Sequence, residues 1–253
     1  AWRGGRSWAK CIGLLHNSSM IPIKTESAWR GTSDCRNCGI RDMVLFADLN
    51  ESDFSLIHSP IDDLVFASGT VLFHEGGSAI AIFTLRSGMV KLVRSTSDGR
   101  QRVVRVLRSG DVIGLEALGD ARYDTEAVAL TEVSVCRIPP SVLPGLDAQS
   151  PRLHKRLMEK WSRSLREADD WLADLNFGTA RARVSNFVLK MRGTHDAQIA
   201  TLFGRDDMGA MMDLKMETVS REVSALVREQ IIEPLDKQGR VYRVLQPQRL
   251  QEA

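Results

Sequence analysis

Cysteine is scarce in this chain. Four residues in 253 (Cys11, Cys35, Cys38 and Cys136) are too few for the disulfide framework of a secreted protein, so a reducing cytoplasm is the expected location. Thiols in that setting serve metal binding, redox chemistry or simple burial. Histidine is sparse as well, at five. No Ser-His-Asp order, glycine-rich phosphate loop or HExxH pattern occurs, which argues against an enzyme. An excess of charge is also missing: the formal net charge is +2, with no basic run and no low-complexity tract. Any contact with nucleic acid must therefore come from a local surface rather than from the field of the whole molecule. Long apolar runs are absent too. CIGLL near the N-terminus is too short for a signal peptide core or a membrane span, so no membrane association is expected. Residues 1–34 read as a flexible leader with scattered basic residues. Met20 is a candidate translation start, which would place Cys11 outside the native protein.

What is present divides the chain in three. Between residues 35 and 150 short apolar runs rich in Val and Ile (VLFHE, AIAIFTL, MVKLVRS, RVVRVL, VSVCRI) are cut by Gly77, Gly88, Gly99 and Gly110 at constant spacing. This is the turn punctuation of a β-sandwich or jelly roll. Ser97-Asp98-Gly99 is the clearest hairpin turn, since Asp and Gly accept the positive φ of a tight turn.

After Pro139-Pro140 and Pro151 the period changes from two to seven. Met158, Leu165 and Leu172 form one heptad row, and Trp161, Ala168 and Leu175 another. The spacing predicts a long helix over 151–178 with an a/d seam. The seam either packs on the chain's own β-domain or pairs with a second copy in a homodimer. Asp169 and Asp170 flank it, and their like charges would make such a dimer marginal.

Residues 179–253 carry the most specific pattern. A short helix over Asp206 to Met212, a break at Asp213-Leu214 and a second helix from about Met216 to Glu229 predict a helix-turn-helix. Asp213 falls where glycine is common and is among the few residues that accept a left-handed conformation. Glu217, Ser220 and Arg221 share one helical face at i, i+3 and i+4. They offer an acceptor for cytosine N4, a small hydroxyl and a guanidinium for guanine O6 and N7; Lys215 and Thr218 lie beside them. Val219, Val223, Leu226 and Val227 can pack inward. PLDKQGRVYRVLQP alternates around Gln238-Gly239 as a hairpin, the wing of a winged helix, with Lys237, Arg240 and Arg243 available to phosphates.

A β-roll, a long helix and a C-terminal winged helix-turn-helix, in that order and of α+β class, resemble the CRP/FNR superfamily of bacterial transcription regulators from about Met20 to the C-terminus. MIP at Met20 to Pro22, the CxxC at Cys35 and Cys38, SGMVKLVRSTSDGRQ, GDVIGLEALG and METVSR match its FNR branch in order. The cyclic-nucleotide branch opens its recognition helix R-E-T-x-G-R, whereas Met216 and Ser220 stand here in the two diagnostic places. Its Arg-Ser phosphate clamp corresponds to GDARYDTEAVAL, where Asp124 would meet a phosphate with a carboxylate beside Thr125, so cAMP is not the expected ligand.

The resemblance implies a homodimer that binds double-stranded DNA at TTGAT-like inverted repeats through Glu217, Ser220 and Arg221 and acts on RNA polymerase. It also implies a 4Fe-4S cluster that responds to oxygen. Cys35, Cys38 and Cys136 match three of the four cysteine ligands; the remaining one falls at Val44, which cannot ligate iron. Asp42, Cys11 or an outside ligand could complete the set. A Cys35–Cys38 dithiol switch without a cluster is the rival reading. Haem is not favoured, because His58, His74 and His154 form no local ligand motif.

Overall fold

The computed structural model describes residues 29–32, 61–97, 99–119, 121–141, 151–193 and 196–252. Cys11, Cys35, Cys38, Asp42 and Val44 lie outside these residues.

The first half is a β-roll of two antiparallel sheets. It contains β1 (Trp29–Thr32), β2 (Asp62–Phe66), β3 (Val71–Phe73), β4 (Ile82–Ser87), β5 (Val90–Ser95), β6 (Gln101–Leu107), β7 (Val112–Ile113), β8 (Glu126–Ala129) and β9 (Val133–Ile138). One sheet has the order β1-β2-β9-β4-β7 and the other β3-β8-β5-β6. Period-two alternation sends Leu64, Phe83, Leu85, Leu92, Ile113 and Val135 into the space between them, the usual way a sandwich builds its core. Gly88 makes the β4–β5 connection possible. Its φ is +87°, and a Cβ there would stand 2.2 Å from the Glu132 carbonyl oxygen, so no other residue fits. Gly99 and Gly110 also take positive φ, but at the first of the four spaced glycines the left-handed residue is Gly76 and not Gly77.

β2 was not legible as a strand because it opens on two aspartates. Asp62 points inward and is 3% exposed. A buried carboxylate requires a partner, and Arg137, directly opposite on β9, supplies one at 2.8 Å.

The long helix α1 spans Pro151–Asn176. Leu157 and Lys160 are buried, and Lys160 turns toward the roll, its ammonium donating to the Gly110 carbonyl. Met158, Trp161, Leu165 and Leu172 are exposed, the last two at 65% and 61%. Leu175 departs from the expected seam: it is 1% exposed, inside the chain's own core with Phe187 and Met211. An α-helix of 3.6 residues per turn drifts about 20° per heptad against a strict seven-residue row. The second row accordingly rotates from exposed Trp161 through half-buried Ala168 to buried Leu175.

The second half contains α2 (Ala180–Lys190), β10 (Ile199–Thr201), α3 (Arg205–Met212), α4 (Met216–Arg228), β11 (Ile232–Pro234), β12 (Val241–Val244) and α5 (Pro247–Gln251). Phe187 on α2 is its centre, in edge contact with Trp171 and Phe203. The same core takes in Val93, Val103, Val106 and Leu130 from the roll, so the outer face of β5–β6 is continuous with the interior of the C-terminal half. Polar ties follow this seam. Lys91 pairs with Asp207, and the Arg108 guanidinium donates to the Lys190 and Arg192 carbonyls at the end of α2, where unpaired helical carbonyls favour a cation.

Candidate nucleic-acid interface

The helix-turn-helix is α3, a turn at Asp213 to Lys215, and α4. Asp206 and Asp207 in the first turn of α3 complement its dipole. The turn needs two particular residues. Gly209 lets the chain double back, since a Cβ there would lie 2.5 Å from the Leu214 carbonyl oxygen. Asp213 adopts the left-handed conformation, with φ 54° and ψ 47°.

α4 is amphipathic. Val219, Val223 and Leu226 are buried and fix its depth in the core. Opposite them Glu217 and Arg221 are exposed and Ser220 and Thr218 half-buried. The face is thus presented to solvent, with the guanidinium of Arg221 3.6 Å from the Glu222 carboxylate. Lys215 precedes the helix and is exposed; its side chain makes no capping bond.

β11 and β12 form the wing, and β10, which the sequence did not reveal, extends it into a three-stranded sheet in the order β10-β12-β11. Tyr242 and Val244 point inward while Arg243 points out, opposite Glu233 at 3.4 Å. At the tip the Asp236 carboxylate accepts the backbone N–H groups of Arg240 and Val241 at 2.9 and 3.0 Å. The Val241 bond above all holds this carboxyl below its ordinary range, and the turn displays Lys237 and Arg240 to solvent. Arg205, which sequence reasoning passed over, anchors the wing to α3. It donates to the Tyr242 hydroxyl at 2.8 Å and the Gly239 carbonyl at 3.3 Å and lies over the Tyr242 ring. Only its place at the start of α3, with an aromatic in the wing, could have pointed to it.

In the roll, Tyr123 and Phe73 stack at 3.7 Å. The Tyr123 hydroxyl donates to the Ala81 carbonyl and accepts from the Ala81 N–H, and burial pushes its pKa up to about 12. The adjacent Asp124 is exposed.

Of the four named iron ligands, Cys136 is the one among the described residues. It sits on β9 at 8% exposure, opposite Asp63 of β2. Its thiol donates to Asp63 Oδ1 at 3.7 Å, and Asp63 is in turn held by Arg86 at 2.6 Å. Among the described residues no group of three or more His, Cys, Asp or Glu gathers around a common point. None of the described helices is long and apolar enough to cross a membrane.

Comparison with known proteins gives the same two halves. A family model for the cyclic nucleotide-binding domain matches residues 63–149, and one for the Crp-like helix-turn-helix domain matches residues 182–253. "Transcriptional activator protein FnrA" of Stutzerimonas stutzeri is 27% identical over 218 residues, covering 82% of this chain and 88% of that protein. The "Fumarate and nitrate reduction regulatory protein" of Escherichia coli K12 is 26% identical over 194 residues, 74% and 78% of the two chains. Among solved structures, FixK2 from Bradyrhizobium japonicum superposes with a TM-score of 0.69 at 26% identity, covering 77% of this chain and 97% of that one. With its β-roll, its helix-turn-helix and these relatives, the chain belongs to the CRP/FNR superfamily and is a DNA-binding transcription regulator rather than an enzyme.

Proposed function

We propose that this regulator is of FNR type: a homodimer that reads TTGAT-like inverted repeats and responds to oxygen or redox state. The observation that carries the reading is the face of α4. Glu217, Ser220 and Arg221 stand together on the solvent side of a helix whose other side is locked into the core by Val219, Val223 and Leu226. A carboxylate and a guanidinium one turn apart match the cytosine amino group and guanine O6/N7 edge of a G·C pair. Lys215, Thr218, Arg240 and Arg243 surround that face as contacts to the phosphate backbone, which position the protein without reading sequence.

The exposed stripe of Met158, Trp161, Leu165 and Leu172 supports dimerisation along α1. A water-facing apolar row on a 26-residue helix is stabilised by pairing with its own copy about a two-fold axis, and a two-fold dimer presents two recognition helices to an inverted repeat.

For the signal, the thiol type of Cys136 suits iron, and Cys35, Cys38 and Asp42 would supply the remaining donors. Such a cluster, when bound, supplies an oxygen-labile link between the N-terminal segment and β9. Asp42 in place of a thiolate makes it more labile than a four-cysteine cluster, since hard oxygen binds such iron less firmly.

A gel shift on an inverted TTGAT repeat against a scrambled duplex tests the DNA reading, and a large preference for the repeat is expected. The visible spectrum of anaerobically purified protein, with iron and sulfide assays, tests the signal. Colourless, iron-free protein whose DNA binding follows a Cys35–Cys38 disulfide would replace the cluster with a dithiol switch.

A further inference from the structure

The turn that precedes the recognition helix faces an element of the sensor domain. Between the β5–β6 hairpin and the helix-turn-helix lies an open cleft of about 630 Å3, with Thr96, Arg100 and Arg102 on the hairpin side and Asp213, Leu214 and Lys215 on the other. Among the described residues its lining carries three cationic side chains and one carboxylate. That carboxylate, Asp213, is 3.3 Å from Arg102, so the described lining carries more positive than negative charge.

Its position relates it to DNA. A helix about 10–12 Å across fills a major groove about 12 Å wide. When α4 enters the groove by its N-terminal face, the phosphates bordering that groove pass beside the residues just before the helix. Lys215 is the residue before α4, and Arg100 stands on the opposite wall of the cleft that Lys215 lines.

The hairpin is also held firmly. β5 and β6 pair as far as Ser95 and Gln101. The turn is closed by bonds from Thr96 N–H and Thr96 hydroxyl to the Arg100 carbonyl, at 2.8 and 3.0 Å, and from Gly99 N–H to the Thr96 carbonyl at 2.9 Å. The Ser95 N–H donates to Glu75 at 2.9 Å. Lys91–Asp207, Arg102–Asn176 and the shared core of Val93 and Val103 with Met208 and Met211 fix the hairpin to the C-terminal half. The backbone from which the Arg100 side chain projects is thus fixed before any partner is met.

We propose that the sensor hairpin is a further DNA-contacting element, in which Arg100 binds a backbone phosphate of the duplex flanking the half-site, across the cleft from Lys215. The proposal rests on the reading of α4 as the recognition helix. It makes affinity depend on how far the duplex extends beyond the repeat, but not on the sequence of the extension, and it brings the sensor domain itself into contact with DNA.

The test is a salt-dependent anisotropy titration on two duplexes with the same inverted repeat, one ending at its outer base pairs and one extended by about a helical turn on each side. On the extended duplex Arg100→Ala is expected to weaken binding several-fold and to flatten the slope of log K against log salt by about 1 per protomer. On the short duplex it should match wild type, and Arg100→Lys should keep most of the slope. Arg100 is exposed on a turn, so the variant folds. Equal losses on both duplexes, or no loss on either, would overturn the proposal. Failure of the underlying reading shows differently: wild type would not prefer the repeat to a scrambled duplex, and both readings would fall.

Discussion

The guanidinium of Arg102 lies 3.3 Å from the carboxylate of Asp213 and donates to Asn176 Oδ1 at 2.6 Å. One side chain of the sensor sheet therefore touches both the end of α1 and the left-handed turn of the helix-turn-helix. This gives a reason for aspartate where glycine would be easier: glycine has no group for Arg102 to hold. Asp213 is largely exposed and Arg102 half-buried, so the pair contributes only about 0.2–1 kcal/mol, comparable to what glycine would gain from its freedom at φ 54°. Asp213→Gly should leave thermal stability nearly unchanged, whereas Asp213→Ala should cost about 1–2 kcal/mol, because a Cβ without a compensating polar group is strained there. Denaturant melts of the two variants check this; equal losses would mean the conformation is not the controlling factor.

On the wing, Arg243 faces solvent and its neighbour Glu233. If its partner in the complex is a phosphate, Arg243→Ala should weaken specific and scrambled DNA alike and reduce the salt slope by about 1 per protomer. A loss confined to the repeat would instead make Arg243 a reader of bases.

Along α1, replacing Leu165 and Leu172 by Lys places four like charges on the seam of the proposed dimer. Dimer and operator binding should both be lost, with the fold intact because both side chains are exposed in the single chain. Sedimentation velocity decides the point: a variant that remains dimeric would place the interface elsewhere.

The difference between Leu172 and Leu175 shows what the sequence could and could not convey. The heptad rows marked a long helix correctly, yet a period of seven read as a flat seam ignores the drift of a straight helix, and that drift turns Leu175 into the core. The strands found were those with uninterrupted Val and Ile. β2 escaped because its inward Asp62 looks like loop until Arg137 is known to lie opposite. The α4 face was legible because i, i+3, i+4 spacing is local. The contacts of Arg102, Arg108 and Arg205 were not, since each joins residues far apart in sequence whose proximity only the packed structure establishes.

Glu167 faces Asp111, Arg108 and Arg163 in a cavity of about 300 Å3 between the roll and α1. Burial raises its pKa above the ordinary 4.5, Asp111 adds to the rise, and Arg105, Arg163 and Arg108 oppose it. With the folded value above the unfolded one, the folded state favours the proton. Stability from this group is thus greatest below the ordinary carboxylate range and falls as pH rises through the raised value. Glu167→Gln should be more stable than wild type at neutral pH, and the advantage should shrink as pH falls through the raised value and be lost below about 4. Taking the difference between the two proteins cancels Asp236, whose lowered value acts in the opposite direction. A difference that does not change with pH would contradict this.

The central claim is that Arg221 reads a base, and the most direct measurement is a double-mutant cycle between Arg221→Ala and an exchange of the G·C pair in each TTGAT half-site for A·T. If Arg221 holds that guanine, wild type loses about 1–3 kcal/mol per half-site on the exchanged duplex, while Arg221→Ala keeps only the smaller preference that Glu217 supplies through the cytosine amino group. Additive losses, with Arg221→Ala still preferring the original repeat by the wild-type margin, would contradict the assignment of α4 as the helix that reads this pair.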